Sequence, residues 1–313
     1  MTDRPLRVLT FVPTGLLRRV GETFPTVELI PIPEQGALEA GVEGEILLTQ
    51  TWGAANSGDV MQRGIRWVHA YGTGVERYPF DTLGNAQLTC SRGASAIPIS
   101  EWVLAVMLAA EKKLPQTWVT HAPEHWNIAR LGGLHGKTLA LIGFGGIGQA
   151  VASRALAFGM SVKALVRKPR PSPIQGVELL GDLTQLLHDA DHVVVAAPST
   201  PETRHLLDAD AFAHCKEGCH LVNVSRGELI DQDALRDALE NDRVGLASLD
   251  TVTPEPLPEG HWLYSHPKVR LSPHTSWSGP GAFDELIEPF LVNVRHWLDE
   301  EPLEFRVDVS LGY

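Results

Sequence analysis

Thr138-Leu-Ala-Leu-Ile-Gly143-Phe-Gly145-Gly-Ile-Gly148 decides the fold. An apolar strand runs into a G-x-G-x-x-G turn. Ile147, Val151, Ala155 and Phe158 then recur at helical spacing on one face, and Gly159 can end the helix. In such a strand–turn–helix the first glycine makes the tight turn. The second lets the backbone approach a pyrophosphate, and the third lets the helix pack on its strand. The helix N-terminus adds free amides and a positive dipole end. The stretch therefore predicts a βαβ unit that binds a dinucleotide, against the plainer reading of helix–sheet packing.

The same rhythm extends in both directions. Strand candidates precede the turn at 7–12, 27–32, 45–50, 66–71 and 87–90. From the turn onward they stand at 138–142, 161–166, 192–197, 220–225, 245–250 and 269–272. Strands alternating with helical stretches predict parallel sheets. Thr200-Pro201 offers a cap and a proline at a first helical position, and Asp182 and Asp231 precede amphipathic runs. After Pro98, residues 99–113 are apolar almost all round, as in a helix buried between layers or at an interface. A last helix over 282–298 can return the chain to the first domain. A length of 313 residues exceeds one usual core, so two domains are expected.

With 43% hydrophobic and 20% charged residues the composition is globular. The 26 Lys+Arg stand against 38 Asp+Glu, a formal charge of −12 that argues against nucleic acid and anionic membranes as partners. That average hides residues 125–177, which hold seven Lys or Arg and no acid around the glycine turn. No stretch approaches the roughly 20 apolar residues of a membrane span. Residues 8–12 followed by Pro13 make a poor signal peptide. The odd set Cys90, Cys215 and Cys219 reads as reduced thiols in a cytoplasmic protein. His214 and His220 beside Cys215 and Cys219 invite a metal reading, but no second ligand cluster accompanies them, so no metal is expected.

The second strand of the βαβ unit chooses between cofactors. A site for NAD usually has Asp or Glu about 20 residues after the first glycine, bonding the ribose 2′-hydroxyl. Here that strand ends Leu165-Val166-Arg167-Lys168-Pro169-Arg170. Val166 cannot accept that bond, whereas Arg167, Lys168 and Arg170 suit a 2′-phosphate. NADP(H) is therefore favoured, with NAD(H) as the alternative and a solvated basic loop as the plainer reading.

Three later segments read together. Asn223-Val-Ser-Arg226-Gly227 puts Arg226 just past a strand. Leu249-Asp250-Thr-Val-Thr-Pro254-Glu255-Pro256 puts Asp250 and Glu255 past the next, and Ser272-Pro273-His274 puts His274 past the last. Ligands of open α/β sheets bind outside the carboxyl ends of strands. Hydride addition to a 2-oxo acid builds negative charge on the carbonyl oxygen, which needs a proton donor. Imidazole suits that task, so His274 is the candidate acid in reduction and base in oxidation. Glu255 can hold its other ring nitrogen, and Arg226 offers a planar cation for a carboxylate and a carbonyl oxygen. Taken singly, each has a structural alternative: a satisfied histidine, a capping arginine, a turn aspartate.

At these residues the sequence resembles the D-isomer-specific 2-hydroxyacid dehydrogenases, over about residues 97–277. The resemblance also includes Ile97-Pro98-Ile99-Ser100-Glu101, Thr200-Pro-Glu-Thr203-Arg-His-Leu and Pro273-His274. It carries the family's catalytic Arg, Glu and His onto Arg226, Glu255 and His274. The Asp that bonds the nicotinamide carboxamide falls on Asp250. The cofactor surface falls on Gly143, Phe144, Gly145, Gly146, Ile147 and Gly148, then on Pro198, Thr203, Val224 and Ser276, beside the basic Arg167, Lys168 and Arg170. Spacings of 29 from Arg226 to Glu255 and 19 from Glu255 to His274 resemble the NADP-using glyoxylate/hydroxypyruvate reductase branch. More loosely, Tyr71-Gly72-Thr73-Gly74-Val75-Glu76 resembles the loop whose amides hold the substrate carboxylate, assigning Thr73 and Gly74; an ordinary turn is the alternative. Thr275, Ser276 and Trp277 depart from the commoner pattern, and Trp277 can narrow the substrate pocket or pack at an interface.

The resemblance implies two doubly wound α/β domains with a cleft between them. One is a flavodoxin-like substrate domain, 1–98 plus 284–313, and the other an inserted Rossmann coenzyme domain, 99–283. It implies an NAD(P)-dependent reduction of a short 2-oxo acid to a D-2-hydroxy acid, in a homodimer. The alternatives are a D-3-phosphoglycerate-type dehydrogenase and a cofactor-sensing, corepressor-like regulator. Neither a regulatory extension after Tyr313 nor long disordered tails are expected.

Overall fold

Five short strands build the first sheet: β1 (Leu6–Thr10), β2 (Val27–Pro31), β3 (Ile46–Thr49), β4 (Trp67–Ala70) and β5 (Gln87–Cys90). All are parallel, in the order β2-β1-β3-β4-β5, the flavodoxin-like order. The central β3 and β4 are buried throughout and read as continuous apolar runs, while the edge strand β2 ends on Pro31 and is half open. The structure is a computed structural model that describes residues 5–127, 130–168 and 170–313.

Seven strands build the second sheet: β6 (Thr138–Ile142), β7 (Ser161–Leu165), β8 (Val177–Leu180), β9 (His192–Val195), β10 (Cys219–Asn223), β11 (Val244–Leu249) and β12 (Val269–Leu271). Their order, β12-β11-β10-β9-β6-β7-β8, is the doubly wound dinucleotide-binding order with one strand added at the edge. All neighbouring strands are parallel, and the order in which successive strands are laid down reverses between β6 and β9, which makes that junction the switch point.

The chain forms two compact units, Met1–Ser95 with Gly279–Tyr313, and Ala96–Ser278. These passages lie a few residues before the expected 98/99 and 283/284. The helix expected at 99–113 runs over Ala96–Glu111, with Pro98 in its first turn, where a missing N–H costs little. Its Ile99, Val103, Leu104 and Met107 are buried with Val151 and Ala155 of the helix Gly146–Ala157. The last helix spans Ala282–Leu298, and its Ile287, Phe290 and Val294 share a core with Trp67 of β4. No helix among the described residues is long and apolar enough to cross a membrane.

Two expectations need correcting. Thr200-Pro201 starts no helix. Thr203 turns its hydroxyl back to the Pro198 carbonyl at 2.7 Å and accepts the Thr200 amide at 2.8 Å, which closes a turn instead. The helix comes later, Ala209–His214, capped by Asp208. Asp182 and Asp231 do cap their helices. The second correction is β8, absent from the expected strands: it is a four-residue, half-exposed edge strand with little periodicity to detect.

A buried polar chain crosses the second unit. Ser248 lies 2.9 Å from His220 Nε2, His220 Nδ1 lies 3.1 Å from His192 Nδ1, and His192 Nε2 lies 3.1 Å from Glu111 Oε1. Lys137 Nζ donates to the same Glu111 oxygen at 2.6 Å. Two facing Nδ1 atoms can share one proton only, so at most one of the two rings can be charged. Burial, with Lys137 adding to it, lowers the His192 pKa to about 4 against the pull of Glu111, and burial lowers His220 as well. An unfolded histidine takes up its proton near pH 6.5, so stability is complete above that pH and is lost as pH falls toward the folded-state value. The His192 shift corresponds to about 3 kcal/mol. Thermal denaturation should show a Tm that is level above about pH 7 and falls between about pH 6.5 and 5, before most carboxylates titrate. A level Tm across that window contradicts the chain.

Candidate active site at the carboxyl edge of the second sheet

Most site residues expected in the second unit lie on segments that leave the carboxyl ends of strands. Gly143 follows β6, Arg167 follows β7, Pro198 follows β9, Val224 and Arg226 follow β10, Asp250 and Glu255 follow β11, and His274 follows β12.

The glycine turn shows why each glycine stands there. Gly143 has φ +101°, and an added Cβ would lie 2.7 Å from the Ala197 amide nitrogen, at the exit of β9. A Cβ on Gly148 would collide with the Gly143 carbonyl, so the helix could not sit on its strand. Gly145 differs: an added Cβ would meet nothing within 4 Å. Its bareness serves no packing inside the chain and leaves the backbone open beside the N-terminus of the helix Gly146–Ala157. Phe144 is buried, Ile147 is half-buried, and Gly146 is exposed. The residues present therefore suit a dinucleotide.

Arg167, Lys168 and Arg170 are exposed beyond β7; Pro169 between them lies outside the described residues. Arg170 Nη2 reaches the Phe144 carbonyl at 3.4 Å, tying the basic segment to the glycine turn. The Thr200 hydroxyl, its own backbone amide and, at longer range, Arg167 hold the Glu202 carboxyl below the usual carboxylate range. Val224 is buried and its amide continues the ladder to Val195 at 3.3 Å.

The structure brings Glu255 and His274 together directly. Glu255 Oε2 stands 2.8 Å from His274 Nδ1, and Oε1 accepts the Val252 amide at 3.0 Å. Both side chains are partly open, at 33% and 40% exposure, so a ligand can reach the far ring nitrogen. His274 itself sits at φ +52°, with its amide 3.0 Å from the Asp250 carbonyl.

Arg226 is set by its neighbours. The buried Asn223 side chain donates to the Arg226 carbonyl at 3.0 Å, and Arg226 Nη1 donates to the Ser225 carbonyl at 2.7 Å. Gly227 packs so tightly that a Cβ there would overlap the Val252 carbonyl. The Arg226 loop thus lies directly on the segment that leads to Glu255.

Asp250 does something the sequence did not disclose. It is 1% exposed. Its Oδ1 accepts from Ser272 Oγ at 2.5 Å and from the Thr275 amide at 2.9 Å, and Oδ2 accepts the Ser276 amide at 3.0 Å. It therefore braces the loop that carries His274. Trp277 completes the brace: it packs on the core of its own unit and donates from Nε1 to the His274 carbonyl at 3.0 Å. Nothing in the spacing could reveal this, because the donors to Asp250 come from residues 22 to 26 positions further on.

In the first unit, Thr73 and Gly74 lie in the turn after β4. Thr73 is exposed and donates its hydroxyl to the Ser91 carbonyl at 3.2 Å; Gly74 is half-buried. Trp52, 61% exposed beyond β3, is a large apolar side chain on the same sheet edge that sequence reasoning passed over.

Comparison with known proteins matches the geometry. The family pattern described as D-isomer specific 2-hydroxyacid dehydrogenase, NAD binding domain, matches residues 104–276. A D-3-phosphoglycerate dehydrogenase of Methanocaldococcus jannaschii is 31% identical over 268 residues, 83% of this chain and 50% of that protein. The chain thus spans about half the length of that relative. Glyoxylate/hydroxypyruvate reductase A of Serratia proteamaculans is 29% identical over 222 residues, 67% of this chain and 70% of that one. A D-isomer specific 2-hydroxyacid dehydrogenase of Xanthobacter autotrophicus Py2, solved with NADPH and MES, superposes with a TM-score of 0.86 at 23% identity. That superposition covers 99% of this chain and 100% of that one, and establishes the fold. With a Rossmann sheet, a glycine turn at its switch point and a match over more than half its length, the chain belongs to the D-isomer specific 2-hydroxyacid dehydrogenase family.

Proposed function

We propose that this chain reduces short 2-oxo acids of the glyoxylate or hydroxypyruvate kind to D-2-hydroxy acids, with NADP(H) preferred over NAD(H). The observation that carries the reading is the His274–Glu255 pair at 2.8 Å, on the same sheet edge as the open Gly145 turn. With Glu255 held by the Val252 amide and accepting from Nδ1–H, His274 Nε2 is left to carry a transferable proton. When bound, the nicotinamide supplies the hydride in reduction and takes it back in oxidation. His274 meets the charge developing on the substrate oxygen by donating the Nε2 proton. Arg226 supplies a guanidinium to the substrate carboxylate and carbonyl oxygen, and the amides of Thr73 and Gly74 are assigned to the carboxylate.

The cofactor is assigned to the 143–148 turn, Pro198, Thr203, Val224, Asp250 and Ser276. Arg167, Lys168 and Arg170 face the 2′-phosphate in this reading, and the relative from Serratia supports the reductase class. The phosphoglycerate dehydrogenase relative favours a second reading, in which the substrate is a phosphorylated hydroxy acid. A homodimer is part of the proposal, because Trp118 and Trp126 stand 69% and 70% exposed on the segment after the helix Ala96–Glu111.

A panel of glyoxylate, hydroxypyruvate and 3-phosphoglycerate, each with the matching phosphorylated or unphosphorylated nicotinamide cofactor, tests the reading. Turnover of the phosphorylated acid alone would favour the second. His274→Ala should lower kcat by about 10²–10⁴-fold and leave the Kd for NADPH within about threefold. Wild-type turnover in that variant overturns the mechanism. Arg167→Ala should raise the KM for NADPH about tenfold and that for NADH less than twofold, the size of one charge-assisted hydrogen bond; equal rises would refute the phosphate role.

A further inference from the structure

One face of β4 and β5 buries polar side chains in an aromatic layer. Trp67 and His69 alternate on β4, and Thr89 and Ser91 alternate on β5 and the residue beyond it, so all four point the same way. All four are wholly buried. The Phe290 ring of the last helix lies 5.2 Å from Trp67 and 5.3 Å from His69.

The polar groups form one directed chain. Trp67 Nε1 donates to Thr89 Oγ1 at 2.8 Å, and Thr89 Oγ1 lies 2.7 Å from His69 Nδ1. His69 Nε2 lies 3.3 Å from Ser91 Oγ, and the Ser91 hydroxyl donates to the Leu286 carbonyl at 2.7 Å. With the Ser91 proton on Leu286, Nε2 must be the donor to Ser91, and Nδ1 accepts from Thr89. Burial keeps the ring neutral, with its pKa lowered to about 3.

A buried polar chain costs desolvation that an aliphatic layer would avoid. What it delivers here is a grip on the turn after β4. Ser91 holds that turn through three groups. Its amide donates to the Gly72 carbonyl at 2.8 Å, its hydroxyl accepts the Gly72 amide at 3.2 Å, and its carbonyl accepts the Thr73 hydroxyl at 3.2 Å. Gly72 sits at φ +146°, and a Cβ there would come 2.6 Å from Thr51 Cγ2, so the turn has little room to shift. Beyond the grip, the amides of Thr73 and Gly74 donate to no acceptor among the described residues.

We propose that His69, Thr89 and Ser91 are positioning residues: the buried chain fixes the Ser91 hydroxyl, and Ser91 fixes the 72–74 turn as a preformed donor pair for an anionic ligand. The inference rests on the substrate role proposed above for Thr73 and Gly74. Donors fixed before binding avoid the cost of ordering them when the ligand arrives.

Steady-state kinetics with the best 2-oxo acid of the panel tests it. Ser91→Ala should raise the KM for the oxo acid about tenfold, with kcat within about threefold and the KM for NADPH within about twofold. His69→Leu should behave like Ser91→Ala. His69→Gln, which can keep an N–H facing Ser91, should stay within about threefold of wild type. An unchanged oxo-acid KM in Ser91→Ala, or a parallel rise in both KM values, overturns the positioning role. If circular dichroism shows Ser91→Ala unfolded, the two His69 variants decide by the same criteria, and equal KM values for Leu and Gln overturn it. Absence of wild-type turnover on every oxo acid overturns the proposed function instead, before any variant is compared.

Discussion

Backbone pairing at the carboxyl ends of parallel strands governs this fold. A strand that ends leaves amides and carbonyls that must find partners elsewhere. In the second sheet they find one another. The Ala196 amide pairs with Ile142, Val224 with Val195, Asp250 with Asn223, Ser272 with Leu249 and His274 with Asp250, all at 2.8–3.3 Å. The ladder thus continues one step past the strands, from the glycine turn to the histidine. The segments bearing Val224, Asp250 and His274 are extensions of the sheet. Asn223 and Asp250 add side-chain braces to the same edge, each wholly or almost wholly buried. A proton donor has to be placed within tenths of an ångström, and a sheet edge supplies that rigidity better than a free loop.

Legibility in the sequence followed the same division. The glycine turn could be read because its three glycines answer to local sterics, which spacing expresses directly. Arg226, Glu255 and His274 could be read because each follows, by a few residues, a strand that the alternation of elements had already marked. The bracing role of Asp250 was not legible. It depends on Ser272, Thr275 and Ser276 folding back across 22 to 26 residues, which no periodicity records. Edge strand β8 was missed because one open face removes the apolar run that marks its buried neighbours. At Thr200-Pro201 the local capping signal was real, but the Thr203 hydroxyl captured the Pro198 carbonyl and the turn prevailed.

Both units place neutral histidines inside their cores, and for related reasons. A neutral imidazole has one donor and one acceptor on opposite sides, so it can relay direction through a buried layer where a hydroxyl or an amide would have to bend. In the second unit the relay joins β11, β10 and β9 to Glu111 at the end of the helix Ala96–Glu111. In the first it joins β4 and β5 to the carbonyl of Leu286 in the last helix. Both layers depend on the rings staying uncharged, which makes burial itself part of the design.

The surface charge follows a different logic. Exposed ion pairs contribute little to stability, so the clustering of Arg167, Lys168 and Arg170 beyond β7 is not explained by folding. Arg170 reaches back to the Phe144 carbonyl at a long 3.4 Å, an oxygen that Gln149 also meets at 3.2 Å. Releasing Arg170 from that contact costs little. A dianionic phosphate beside them would attract all three cations at once, whereas a ribose hydroxyl offers them no charge. In a chain of net charge −12, that local reversal of sign is what supports the proposed preference for the phosphorylated cofactor.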